Sequence, residues 1–375
     1  MQRRLLETSE PLRPCTSSSG RPPGEAPYSS VSIGLRSGQV TMISIDDEWR
    51  RWVAENLLLG ALPARLIETM VAKGIDRQAA LREVLQAQES PYTKGAERLA
   101  NRLRKRDWQL AMYARLRELH PDSHEIERRH RIRTEEFLES YYSANRPVII
   151  TGMLDNWPAT QLWNLEYFES RIGSELIEIQ FGRQGHANYE IERERLVRRL
   201  PFDEFLSMVR ECHSTNDFYC TAGNNSFNRA VLAPLWEDVV PIPEYLDSDS
   251  SADGFFWLGP RGTVTPFHHD LTNNFMAQII GRKLVKLVSS YETPLMRNNF
   301  HCYSEWHNDD LGAATSNSTE VPHVLQCVLE PGELLFLPIG WWHYVEGLDI
   351  TTTMTFTNFR WYNDFHSSYS TYHNV

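Results

Sequence analysis

The chain has no uninterrupted apolar run of membrane-spanning length, which excludes an integral helical membrane protein. Cysteine is scarce: Cys15, Cys212, Cys220, Cys302 and Cys327 make 5, an odd and scattered set. None forms a C-x-x-C pair, so zinc-finger, thioredoxin-like and disulfide-framework readings have no support. Positive charge is also short, with 38 Lys and Arg against 49 Asp and Glu for a net charge of -11. That balance argues against a surface built to bind polyanions throughout and leaves a local basic patch open. The opening MQRRLLETSEPLRP has two arginines but no apolar segment behind them, so it is no secretory signal, and a reducing cytoplasm is the expected compartment. What is present is ordinary globular material. The 375 residues are 41% hydrophobic and 23% charged, enough to bury a sizeable core.

The texture changes along the chain. Residues 1–41 are rich in Ser, Pro and Gly and are expected to form a disordered tail, with Met42 an alternative start. Residues 44–127 read as a helical appendage. Ser44 and Asp47 suggest a capped start for DEWRRWVAENLLLG, Gly74 a helix end and Asp76 a cap. Leu99, Leu103, Leu110 and Leu116 recur at helical spacing over 95–119, and Thr134 is placed to cap TEEFLESYYSA. Residues 94–133 hold 12 Lys and Arg against 6 acids. The bland reading is a solvated helix face with i,i+4 pairs; the sharper one is a docking patch for an acidic partner or RNA. From Arg146 short runs rich in Val, Ile, Thr, Phe and Tyr take over: RPVIITGM, ELIEIQFG, DFYCTAG, GFFWLGP, NFMAQIIG, RKLVKLV, ELLFLPI and DITTTMTFTNF. They predict a mainly β domain over 128–375, a sandwich or barrel preceded by helices.

TPFHHD carries the sharpest chemistry. Residues i and i+2 of a strand share a face, so His268 and Asp270 can reach one metal ion while His269 points away. His343, after Gly340-Trp341-Trp342, is a candidate third ligand, or a core histidine beside two tryptophans. Two histidines and a carboxylate make the facial triad of non-haem Fe(II) oxygenases, which leaves positions open for a bidentate 2-oxo acid and dioxygen. Lys283 follows Asp270 by 13 positions inside the apolar run RKLVKLV. A lysine there calls for an anion, and the distal carboxylate of 2-oxoglutarate supplies one. Lys286 is out of phase with it and is expected to face the other way.

TPFHHD, NFMAQIIGRK, PGELLFLPIGWWHYVEGL, TFTNFRW and RTEEFLESYYSANRPVIITGMLDNWPA together resemble the JmjC-type cupin-like hydroxylases, over about residues 128–362. The resemblance implies a double-stranded β-helix (cupin, jelly-roll) core of about eight strands behind an N-terminal helical region. It implies Fe(II) on His268, Asp270 and His343, with 2-oxoglutarate and dioxygen as co-substrates. Lys283 and Thr265 fall at the distal carboxylate with Tyr219 as a third partner. Asn274 falls near the chelating end, and Thr355 or Asn358 makes a further contact. No catalytic residue is implied beyond the metal centre. The segment 289–327 is long for a hairpin loop and reads as a substrate flap; its His301, His307, Asp309 and Asp310 are the weaker suggestion of a second metal site. The expected activity is hydroxylation of a protein or peptide side chain. A tRNA base, a small metabolite and a non-catalytic cupin-like binding module are the alternatives, and a homodimer through the helical region is a further possibility.

Overall fold

The computed structural model of the protein describes residues 44–121, 123–221, 226–240, 243–247, 254–306, 311 and 321–370. The expected tail 1–41, Met42, and the flap residues His307, Asp309 and Asp310 lie outside them. Two compact units divide the chain, Met1–Gln109 and Leu110–Val375. No helix among the described residues is long and apolar enough to cross a membrane.

The first unit contains α1 (Asp47–Leu58), α2 (Pro63–Ala72), α3 (Arg77–Glu89) and the first part of α4 (Pro91–Glu118). Asp46, rather than Ser44 with Asp47, caps α1: its carboxylate accepts from the Trp49 N–H at 2.9 Å. Asp76 caps α3 through the Ala79 N–H at 2.9 Å. Gly74 takes the left-handed conformation (φ 91°) that ends α2. Trp49 and Trp52 meet edge to face at 5.3 Å and pack with Val53, Leu66, Met70, Ile75, Ala80 and Val84 into one small core. The leucine stripe expected over 95–119 does lie on one long helix, yet α4 has no buried residue, and Leu99 and Leu103 stay 60% and 55% exposed. At the next helix Thr134 is the first helical residue; the cap position is Arg133, which offers no side-chain bond.

The second unit is built from β1 (Arg128–His130), β2 (Val148–Thr151), β3 (Leu176–Phe181), β4 (Val197–Pro201), β5 (Phe218–Tyr219), β6 (Phe255–Gly259), β7 (Val264–His269), β8 (Asn274–Ile280), β9 (Lys283–Val288), β10 (Val324–Leu329), β11 (Leu334–Leu337), β12 (Trp342–Gly347) and β13 (Thr351–Phe356). Composition had not marked β1, β4, β10 or β12; RRH and VRRLP in particular lack the β-branched texture of the others. A six-stranded sheet runs β1-β2-β11-β8-β13-β6 and a four-stranded sheet β10-β9-β12-β7. Strands β6 to β13 are shared between these two sheets, giving the mainly β, cupin-like barrel expected; β4-β3-β5 form a separate small sheet.

Alternation sorts the side chains. On β8, Phe275 and Ala277 join the larger core, which also takes in Phe137, Trp157 and Phe168; on β11, Leu334 and Phe336 do the same. The opposite parity, Met276, Leu335, Leu337, Val285, Leu287 and Val345, forms a second cluster drawn from both sheets. With both faces covered, these strands read as near-continuous apolar runs. A polar residue of that second parity therefore stands out.

The β8–β9 turn needs Gly281. Its φ is +65°, and a Cβ there would run into the Ile350 carbonyl oxygen. Gly332, in the β10–β11 turn, has φ +88° with open space around it. Gly281→Ala is expected to lower unfolding free energy by more than about 1 kcal/mol, and Gly332→Ala by less, in urea denaturation followed by circular dichroism. Equal losses would show that the close approach at Gly281 is relaxed at no cost.

Candidate metal centre and co-substrate pocket

Strand β12 lies between β7 and β9, antiparallel to both. Across the β7 side, His343 stands directly opposite His268. The next matched pair is Val345 with Thr265, so β7 carries one extra residue between its two matches. That is a β-bulge, and it contains Pro266, which has no N–H to give to a ladder. The bulge shifts the alternation of β7 by one. Thr265 and His268, an odd number apart, therefore both line the same pocket, while Phe267 packs on the other side against Tyr344 with ring centroids 5.6 Å apart.

His268, Asp270 and His343 each present a ligand atom, and these atoms lie within 4.8 Å of one another. The His268 Nε2 is 3.8 Å from Asp270 Oδ1, and the His343 Nε2 is 4.0 Å from Asp270 Oδ2. The two imidazoles are 4.1 Å apart at their centroids. Backbone carbonyls select the tautomers. The His268 Nδ1 is 2.9 Å from the Pro266 carbonyl oxygen, and the His343 Nδ1 is 3.1 Å from that of Trp341. Each Nδ1–H then donates outward and leaves the Nε2 lone pair facing the centre, the arrangement that orients metal-ligating histidines. Burial, reinforced by neighbouring His268, pushes His343 down to about 4, so its ring is neutral near pH 7. Burial alone would raise Asp270, but His343, His268 and a hydrogen bond from Asn274 outweigh it and hold the carboxyl below its usual range. Two imidazoles with Nε2 turned to the centre and one carboxylate are the donor set that suits a divalent iron. His269 faces elsewhere: its ring meets Trp342 edge to face at 4.7 Å.

The remaining candidates fall around the same pocket. Lys283 is 2% exposed, and its Nζ donates to the Tyr219 hydroxyl at 3.2 Å. No carboxylate among the described residues pairs with it, and burial pushes it down to about 7. Burial pushes the Tyr219 hydroxyl up, so it remains protonated and keeps a hydrogen to donate. Lys286 points the other way, its Nζ 5.1 Å from the centre of the Tyr344 ring. The Asn274 Nδ2 donates to Asp270 Oδ2 at 3.0 Å, and its Oδ1 is buried with no partner among the described residues. Thr265 and Thr355 line the pocket, and the Thr355 hydroxyl accepts from Trp257 Nε1 at 3.0 Å. Asn358, the alternative to Thr355, instead donates from Nδ2 to the Asp247 carbonyl at 3.0 Å and is not among the lining residues.

Sequence reasoning passed over Trp257, Met276, Leu337, Val345 and Thr353, which complete the lining. A usable signal existed: Met276, Val345 and Thr353 stand two positions from Asn274, His343 and Thr355, on the same strand faces. In the segment 289–327, His301 has φ +43° and Tyr303 forms a backbone bridge with His268, so this part of the expected flap borders the metal centre. Among the described residues the His268, Asp270, His343 group is the one cluster found with metal-binding geometry.

A family profile described as a cupin-like domain matches residues 134–368, and the chain belongs to that family. Within it, the chain is a JmjC-type cupin-like member. It is 30% identical to lysine-specific demethylase JMJ30 of Arabidopsis thaliana, over 65% of this chain and 56% of that protein. It is 29% identical to lysine-specific demethylase 8 of Xenopus tropicalis, over 59% of this chain and 50% of that protein. It is 26% identical to tRNA wybutosine-synthesizing protein 5 of Gallus gallus, over 56% of this chain and 70% of that protein. The matched part thus spans about half the length of the two demethylases. JmjC-type oxygenases use Fe(II), 2-oxoglutarate and dioxygen, and the residues present fit these: a His, His, carboxylate set for the metal and, for the acid, a buried lysine with no carboxylate partner among the described residues.

Two measurements follow from this geometry. His268→Ala and Asp270→Ala are each expected to abolish stoichiometric binding of Co(II), an optical stand-in for Fe(II), whereas His269→Ala retains it; loss in His269→Ala alone would mean that the register is wrong. Binding of 2-oxoglutarate by calorimetry should weaken as pH rises above about 7, because neutral Lys283 must take up a proton to meet the carboxylate. The slope should approach about a tenfold loss per pH unit, with net proton uptake across buffers of different ionisation enthalpy. A flat profile would remove Lys283 from the carboxylate.

Proposed function

We propose that the protein is an Fe(II)- and 2-oxoglutarate-dependent dioxygenase that hydroxylates a C–H bond in a protein or peptide side chain. The observation that carries the reading is the meeting, in one pocket, of three metal-ligating groups and a buried lysine that has no carboxylate partner among the described residues. The chemistry supplied when the cofactors are bound is oxidative decarboxylation of 2-oxoglutarate to succinate and carbon dioxide, with one oxygen atom of dioxygen going to the co-substrate and the other to the substrate.

The chain's own residues do the rest. His268 and His343 present Nε2 lone pairs because their Nδ1–H groups are engaged by backbone. Asn274 donates to Asp270 Oδ2 and so fixes the orientation of the carboxylate between the two histidines. Lys283 and the protonated Tyr219 offer two donors to a carboxylate at the far end of the pocket, with Thr265 beside them. Trp257, Met276, Leu337 and Val345 keep the walls apolar, which strengthens those polar contacts and limits side reactions with water. Asp as the carboxylate ligand, where Glu is usual in histone demethylases of this class, only tilts the reading towards a stable hydroxylated product, since both carboxylates support oxidation.

A tRNA substrate is the second reading, favoured by the basic segment 94–133 and by the relative named for wybutosine synthesis. A steep fall of tRNA affinity with salt would support it; peptide hydroxylation insensitive to added tRNA would not. The helical region 44–127 is read as an appendage for substrate docking or self-association, located in the cytoplasm with the rest of the chain.

Protein incubated with Fe(II), ascorbate and 2-oxoglutarate is expected to form succinate without added substrate, and to add one oxygen mass to a peptide from native extract. Absence of both would favour the non-catalytic binding module. Lys283→Ala should raise the co-substrate KM by about 10- to 100-fold, the loss of one charge-assisted hydrogen bond. An unchanged KM, with Lys286→Ala impaired instead, would move the anchor.

A further inference from the structure

Arg183 lies just past β3 and has no exposed surface. A buried arginine is costly unless its charge and donors are met, and an apolar residue of similar volume is often no less stable in its place. Here the donors are met in part. The Nη2 donates to Glu190 Oε1 at 2.6 Å and to the Val264 carbonyl oxygen at 2.7 Å. The Nε and Nη1 are buried with no hydrogen-bond partner among the described residues. Satisfying Arg183 itself therefore does not account for its position.

What it touches does. The guanidinium lies 5.1 Å from the centre of the Tyr219 ring and 4.4 Å from that of Tyr189. The Lys283 Nζ lies 5.9 Å from the same Tyr219 ring centre and bonds its hydroxyl. Two buried basic side chains thus share one tyrosine, and of the two it is Arg183 that has a carboxylate in contact. The second target is Val264. Its carbonyl accepts from Arg183 and from the Tyr189 hydroxyl at 3.1 Å, and its N–H donates to Asn216 Oδ1 at 2.8 Å. The next residue is Thr265, at the start of the bulge. Arg183 therefore grips both walls of the far end of the pocket, one through a ring face and one through the backbone.

We propose that Arg183, held by Glu190, is a positioning residue for the co-substrate: it fixes Tyr219 and Thr265 around the seat of the distal carboxylate and places a second positive charge behind Tyr219. This rests on the reading of the pocket as a 2-oxoglutarate site. Arg183 is remote in sequence from the metal ligands, and its effect is on one end of the pocket, so the acid should feel its loss and the metal should not.

The test compares wild type, Arg183→Met, Arg183→Lys, Glu190→Gln and Lys283→Ala. Co(II) affinity is followed by absorption, 2-oxoglutarate binding to the Mn(II)-loaded protein by calorimetry, and fold by the urea midpoint. Arg183→Met should weaken 2-oxoglutarate by about tenfold or more, on the scale of a lost charge-assisted contact, with Co(II) affinity within about twofold of wild type. Arg183→Lys should recover part of the loss, since it keeps the charge but not the planar fork. Glu190→Gln should weaken binding less than Arg183→Met. Wild-type 2-oxoglutarate binding in Arg183→Met, with Lys283→Ala impaired, overturns the inference and leaves the pocket reading standing. Parallel loss of Co(II) and 2-oxoglutarate also overturns it, making Arg183 a support of β7 alone. If Arg183→Met does not fold, Arg183→Lys decides: weaker 2-oxoglutarate at unchanged Co(II) affinity supports the inference, and wild-type binding overturns it. No 2-oxoglutarate binding by the wild type would instead remove the pocket reading and the inference with it.

Discussion

The pairing of β12 with β7 is the constraint on which the site depends. It sets His343 opposite His268, and the side-chain period of two makes that register all or nothing. A slip of one residue would turn His343 outward and bring Trp342 or Tyr344 in. The pairing of β12 with β9 then carries Lys283 into the same interior, opposite Gly347 at the far end of the strand. One central strand therefore sets the separation between the His268, Asp270 and His343 cluster at one end and the buried Lys283 at the other. The apolar parity of β8, β9 and β11 fills the space below and fixes the register by burial.

The bulge at Pro266 is the departure that makes this arrangement work. A regular β7 could give His268 and Asp270 to the pocket or Thr265, but not all three. One extra residue re-phases the strand so that all three line it, at the cost of ladder bonds that a proline could not have made in full. The local polar network follows from the same choice. Pro266 and Trp341 offer the carbonyls that select the histidine tautomers, and Asn274 steadies Asp270.

Much of this was legible in the chain. H-x-D on a strand, a lysine inside RKLVKLV, and the Pro-Gly turn before ELLFLPI specify local chemistry whose physical meaning does not depend on the rest of the fold. So did the helix cap at Asp76 and the helix end at Gly74. Other features were not legible, for physical reasons. The cap at Asp46 competes with Ser44 and Asp47 within four residues, and the choice depends on the angle at which the chain enters the helix. Strand β12 follows directly on Gly340 and mixes Trp342, Tyr344 and Val345 with the polar His343 and Glu346, so it does not stand out as a run of its own; it is held by pairing on both sides. Arg183 sits in a polar stretch, RQGHANYEIERER, that reads as surface; only the fold brings it behind Tyr219. The lining residues Met276, Val345 and Thr353 were within reach of simple alternation from positions already identified.

The central claim is that one pocket seats a divalent metal on His268, Asp270 and His343 and a 2-oxo dicarboxylate that reaches from that metal to Lys283. Its most direct test is an anaerobic titration of the Fe(II)-loaded protein with 2-oxoglutarate, followed by visible absorption. Chelation of the iron by the 2-oxo acid should produce a charge-transfer band that saturates at one equivalent. The band should need much more acid to appear in Lys283→Ala and should be absent in His268→Ala. A protein that binds Fe(II) and 2-oxoglutarate yet shows no such band, or a Lys283→Ala variant that titrates like the wild type, would contradict the account.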